Sequence, residues 1–237
     1  MLIDSPRYTE RDLEVWRARE RADAVHAQTM GFQRRVERTI GALVEFSAAG
    51  PCYAGTSWGK DSTVLAHLVA THTPHVPLAH VHVEGVHNPD CDLVRDTFLT
   101  DHRVSYEEIR AQVGGKLTSG AGFAEAARRF GDRHVSGVRA GESRTRALRM
   151  ARWGESTERT CAPLGGWTGA DVFAYLHTHR LPVHPAYACS LGGVLDRDRI
   201  RVAALGGERG RGHGRAEWER RYYGDAMPAC AGEPATG

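Results

Sequence analysis

Residues Ser57-Trp58-Gly59-Lys60-Asp61-Ser62 lie between a short apolar run, Pro51 to Gly55, and the stretch Thr63-Val64-Leu65-Ala66-His67-Leu68-Val69. The order reads as a strand, a tight loop and a helix start, with apolar positions 64, 65, 68 and 69 on one helical stripe. In that arrangement backbone N–H groups and a helix N-terminus converge on an anion such as phosphate. Gly59 lets the main chain approach the anion, Lys60 supplies a mobile positive charge, and Asp61 offers a hard oxygen to Mg²⁺. Ser62 can cap the helix or donate to phosphate. The spacing is not that of a Walker A loop, which excludes the usual kinase or GTPase reading.

Two further segments follow in order. Val135-Ser136-Gly137-Val138-Arg139 reads as a buried strand with a guanidinium at its end, continuing through Glu142, Ser143, Arg144 and Arg146. Arg139 there suits fork contacts to phosphate, and Glu142 can hold Arg139, bind metal or pair with Arg146 one turn on. In Trp167-Thr168-Gly169-Ala170-Asp171, Thr168 reads as an N-cap with Asp171 closing a capping box, so the segment that runs on to Tyr187 is architectural and Trp167 is packing.

The first segment resembles the Ser-Gly-Gly-x-Asp-Ser signature of PP-loop ATP pyrophosphatases, with Trp58 replacing the first glycine. The other two resemble stretches of the phosphoadenosine-phosphosulfate (PAPS) reductase branch, and together the matches span residues 45–190. The resemblance implies a doubly wound α/β fold with a mostly parallel sheet and helices on both faces. It implies ATP and Mg²⁺ as ligands, held by Ser57, Trp58, Gly59, Lys60, Asp61, Ser62, Val83, Glu84, Gly137, Arg139 and Glu142. Lys60, Asp61 and Arg139 are the expected catalytic groups, and Asp61 the expected metal ligand.

Departures from the branch shape the functional expectation. PAPS reductases carry a late Glu-Cys-Gly-Leu-His motif, whereas the late cysteine here is Cys230 in Pro-Ala-Cys-Ala-Gly. The paired cysteines of iron-sulfur adenylylsulfate reductases are also missing, so no cluster is expected. The resemblance therefore favours splitting ATP to AMP and pyrophosphate to activate an acceptor for sulfur transfer, as in DNA phosphorothioation, with a cysteine desulfurase and DNA or DNA-modification proteins as partners. A PAPS reductase and a silent nucleotide-binding subunit are the alternatives. Cys161, near Arg152 and Arg159, is the first candidate sulfur carrier, and Cys189 the second.

The 237 residues, 41% hydrophobic, can bury one sizeable core, and a formal charge of +2 does not itself indicate a polyanion partner. No apolar run reaches membrane-spanning length, the N-terminus is too charged for a secretory signal, and the five scattered cysteines suit a reducing cytoplasm. Residues 1–48 read as a helical extension that covers the sheet or forms a dimer surface, with a stripe of Phe32, Val36, Ile40, Leu43 and Val44, preceded by Leu13, Trp16 and Val25. Residues 49–190 form the nucleotide-binding domain. Residues 191–237 change character, with a glycine-arginine stretch at 206–215, a short helix at 216–223 and a loose tail. Pro77 to Glu84 reads as a parallel strand whose end, at Val83 and Glu84, faces adenosine. Alternation puts His80 and His82 on one face of it, but no cysteine or carboxylate completes a zinc spacing with His87, so these histidines read as packing.

Overall fold

A computed structural model describes residues 1–83, 86–111, 118–202, 205–206 and 215–227. Five parallel strands, β1 (Tyr53–Thr56), β2 (Leu78–Val83), β3 (Tyr106–Ala111), β4 (His134–Ser136) and β5 (Thr160–Cys161), form one sheet in the order β3-β2-β1-β4-β5. Parallel pairing requires crossovers, and helices supply them. The helices are α1 (Glu10–His26), α2 (Met30–Ala48), α3 (Lys60–His72), α4 (Asp90–Asp101), α5 (Thr118–Phe130), α6 (Arg144–Trp153), α7 (Gly169–Thr178) and α8 (Arg215–Tyr223).

The chain builds outward from β1 to β2 and β3, then returns to add β4 and β5 on the other side. This reversal leaves a crevice between the C-terminal ends of β1 and β4, where open α/β sheets receive ligands. The expected loop follows β1 and Arg139 follows β4, so the two motifs flank that crevice.

Strand alternation divides the buried side chains between two faces. Tyr53, Ala79 and Ile109 meet Ala126 and Phe130 of α5 on one face. Ala54, Leu78, Val135 and Cys161 join the larger core with residues of α2, α3 and α7 on the other. The architecture is the α/β one expected, with helices on both faces. Strand β5 was not foreseen, because two residues are too few to show alternation.

The N-terminal helices contribute to the same large core through Trp16, Phe32, Leu43 and Phe46. Trp16 packs edge-on to Phe173 and Phe32 to Trp167, each at 6.0 Å between ring centroids. The buried stripe is narrower than the sequence suggests, since Val25 and Val44 remain exposed. Helix α7 starts with the expected capping box: Asp171 N–H donates to Thr168 Oγ1 at 3.2 Å, and Thr168 N–H to Asp171 Oδ2 at 2.8 Å. The shorter acid closes the box, and its other oxygen accepts from Arg35 at 3.0 Å and lies 2.8 Å from His26 Nε2. Among the described residues no helix is long and apolar enough to cross a membrane.

Candidate functional site

The loop after β1 is held by its own polar groups. Ser57 N–H donates to Ser62 Oγ at 3.1 Å, and Ser62 Oγ–H donates to the Gly59 carbonyl at 3.0 Å. Lys60 N–H, at the first position of α3, donates to the Tyr187 hydroxyl at 3.0 Å. Trp58 adopts φ 58°, a left-handed conformation that costs a bulky residue strain. That turn sends its indole away from the loop's concave side. Trp58 is fully buried, its ring 5.5 Å from Phe98 and 5.6 Å from Tyr106. Its side chain anchors the loop from behind, so of Trp58 only the backbone stays with the loop for the expected nucleotide contact.

Four charges meet beside the loop. Lys60 Nζ is 2.9 Å from Asp61 Oδ2 and 3.5 Å from Asp198 Oδ1. Arg139 Nε donates to Asp61 Oδ1 and Arg139 Nη2 to Asp198 Oδ1, both at 2.6 Å. Burial pulls the Lys60 ammonium toward neutrality, but the Tyr187 hydroxyl and the two carboxylates outweigh it and hold its pKa above the usual lysine value. Burial likewise opposes the charge on Arg139, and Asp61 and Asp198 more than offset it. Tyr187 is pushed up to about 12, chiefly by burial, and so keeps its proton.

A cleft of about 520 Å³ opens over this cluster, within the usual range for small-molecule sites. Ser57, Gly59, Lys60, Asp61, Ser62, Gly137 and Glu142 line it, so most of the expected binding residues come together. Arg139 does not reach its surface. The guanidinium is 2% exposed and committed to the two aspartates, which changes its expected role from phosphate contact to positioning Asp61. Among the described residues, the cations that do line the cleft are Lys60, Arg146, Arg149 and Arg201. Glu142 accepts the Arg139 backbone N–H at 3.0 Å and pairs with Arg146, which selects among its three sequence readings. Toward the α5 side the lining becomes apolar and aromatic, with Tyr53, Val81 and Phe123. Val81 lines the cleft, whereas Val83 on the same strand face does not, and Glu84 lies outside the described residues.

Sequence reasoning missed Asp198, Arg149 and Arg201. Asp198 comes from the short turn Arg197–Arg199, far along the chain, where the Asp196 side chain accepts the Asp198 N–H at 3.0 Å. The only signal was the charge alternation of residues 196–201, which names no partner.

No family model matches the chain. Sulfate adenylyltransferase subunit 2 of Xanthomonas campestris pv. campestris, in two strains, is 26% identical to it, covering 74% of this chain and 70% of that protein. The PAPS reductase of Candida auris, solved as a phosphate complex, shares the fold with a TM-score of 0.54 at 14% identity, covering 71% of this chain and 89% of that one. The chain is thus similar in sequence to a sulfate adenylyltransferase subunit and in fold to a PAPS reductase.

The cysteine expectations change. Cys161 lies on β5 with 1% exposure, and burial pushes its thiol up to about 11, overriding the arginines near it in sequence. Cys189 is fully buried and shifted in the same direction for the same reason. Neither thiol has the exposed, thiolate-favouring surroundings of a sulfur carrier. Cys230 and most of the glycine-arginine stretch lie outside the described residues.

Proposed function

We propose that this chain cleaves ATP between its α and β phosphates and transfers the adenylyl group to an oxygen acceptor, with pyrophosphate leaving. The observation that carries this reading is the meeting of Lys60, Asp61, Arg139 and Asp198 at the sheet's switch point, under a cleft lined by four cations and two carboxylates, Asp61 and Glu142. Lys60, Arg146, Arg149 and Arg201 neutralise the triphosphate, and the N-terminus of α3 adds its partial positive charge. The apolar end at Tyr53, Val81 and Phe123 takes the base. As the acceptor oxygen attacks the α phosphorus, the bond to the bridging oxygen breaks and negative charge grows on the departing pyrophosphate, where these cations stabilise it.

Mg²⁺ fits the donor set. Asp61 and Asp198 are hard oxygen donors brought together by shared bonds to Lys60 and Arg139. These two carboxylates would hold the ion, which supplies further neutralisation of the phosphates.

The proposed acceptor is a DNA backbone phosphate, activated for replacement of oxygen by sulfur. The supporting feature is α6, where Arg149 lines the cleft and Arg144, Arg149, Arg152 and the aromatic Trp153 are exposed. A row of basic side chains ending in an exposed aromatic suits a polyanion of bases and phosphates. Because Cys161 and Cys189 are buried, the sulfur is assigned to a partner desulfurase. Sulfate is the second acceptor reading, favoured by the name of the X. campestris relative.

Product analysis with Mg²⁺ and ATP labelled at the α phosphate tests the reaction. AMP or an adenylylated acceptor together with pyrophosphate is expected, and ADP with inorganic phosphate overturns the proposal. Stimulation by DNA rather than sulfate separates the two acceptors, and sulfite from PAPS plus a thiol would return the reductase.

A further inference from the structure

Strand β2 turns Val81 toward the cleft and His80 and His82 toward the opposite face, and the chain reaches α4 through His87. The three rings cluster there, with centroids 4.1 Å apart for His82 and His87, 5.8 Å for His80 and His87, and 6.2 Å for His80 and His82. One nitrogen from each ring lies within 4.8 Å of the other two. His80 Nδ1 is 2.9 Å from the Thr56 carbonyl, which can only accept, so the proton sits on Nδ1 and the Nε2 lone pair is free. A backbone carbonyl holding the far nitrogen is how metal-bound histidines are oriented.

Two of the rings also keep a buried nitrogen without a hydrogen-bond partner, His80 Nε2 and His82 Nδ1, and His87 Nε2 meets only a carboxylate. Leaving such groups unpaired costs about 1–3 kcal/mol apiece. A carboxylate stands by, with Asp92 Oδ1 3.1 Å from His87 Nε2.

We propose that His80, His82 and His87 bind a divalent transition cation of the Zn²⁺ class, at a site separate from the nucleotide cleft. Three imidazoles suit Zn²⁺ and its neighbours, and disfavour Mg²⁺, which takes oxygen ligands. Zinc–nitrogen bonds of about 2.0–2.1 Å place tetrahedral ligands about 3.3 Å apart, so binding draws the three nitrogens inward. The ion clamps the end of β2 to the entry of α4. That corner already anchors distant segments: Asn88 donates to the Val202 carbonyl at 3.0 Å, and Asp90 accepts from Arg7 at 3.0 Å and from Tyr223 at 2.8 Å.

The test uses the full chain, stripped with chelator and titrated with Zn²⁺ by calorimetry and with Co²⁺ by visible absorption. We expect one equivalent of Zn²⁺, a rise in melting temperature and the absorption bands of tetrahedral Co²⁺. His82→Ala and His87→Ala, each checked for native circular dichroism, should weaken binding by at least about 100-fold, the upper end of what loss of an outer-shell partner does. Asp61→Ala should bind Zn²⁺ as the unaltered chain does. Absence of stoichiometric binding, or binding that survives in both histidine variants, overturns the proposal. Neither result bears on ATP cleavage.

Discussion

Gly137 carries a geometric constraint that its place in a motif does not reveal. A Cβ there would lie 3.0 Å from the Asp61 carbonyl carbon and oxygen and 3.2 Å from Ser62 N, all backbone atoms that cannot swing aside. Gly137→Ala should therefore push the end of β4 off the loop, raising KM for ATP at least about tenfold while costing roughly 1–3 kcal/mol of stability. Gly141→Ala, with nothing within 4 Å of its added carbon, is the matched control and should leave both unchanged. Equal effects of the two substitutions on KM would refute the packing argument. Asp198→Asn tests a residue outside the sequence motifs: Arg139 keeps Asp61 but loses its second carboxylate, and kcat should fall about tenfold or more with the fold retained, in a steady-state pyrophosphate assay. The loop after β1 was legible because its contacts are local, each group within a few residues of the next. Asp198 was not, because its position depends on how residues 196–201 cross the switch point. Trp58 shows a different limit, since the sequence marks a bulky residue where glycine is usual but not the direction a positive φ sends it.

At the scale of elements, periodicity and caps located the helices around the site, and the Thr168 box was readable from four residues. What a helix packs against was less legible. The sequence suggests only that residues 216–223 can dock on the body, yet α8 is part of the main core. Trp218 is 3% exposed and donates from Nε1 to the Cys189 carbonyl at 2.6 Å, Tyr222 OH donates to Asp12 Oδ2 at 3.0 Å, and Tyr223 OH donates to Asp90 Oδ2. A nine-residue helix with mixed charge gives no hint of three partners so far away in sequence. Trp218→Ala should destabilise the protein by roughly 3–5 kcal/mol, measured by urea unfolding, as expected for an emptied aromatic site. A loss under about 1 kcal/mol, the scale of a surface substitution, would show that α8 does not pack as described.

Across the whole molecule, histidine burial sets the response to acid. Burial is the first cause lowering the pKa of His67, His80, His87, His134, His179 and His184, with His67 and His184 brought to about 3. The ordinary value, about 6.5, applies in the unfolded chain. Below it the unfolded chain takes up protons that the folded chain refuses, so stability must fall with pH from 6.5 toward the folded values. Asp12 and Asp171 act in the same direction at lower pH. Burial alone would raise their carboxyl pKa, but the donors around each outweigh it, and protonation below about 4 removes those interactions. In EDTA, the melting temperature should drop steadily from about pH 6.5 to 4.5. Each histidine contributes at most about 1.4 kcal/mol per pH unit, so His184→Asn, which keeps an acceptor for the Ala186 N–H, should flatten the slope by no more than that. A melting temperature unchanged down to pH 5 would mean that these rings protonate as readily in the folded chain as in the unfolded one.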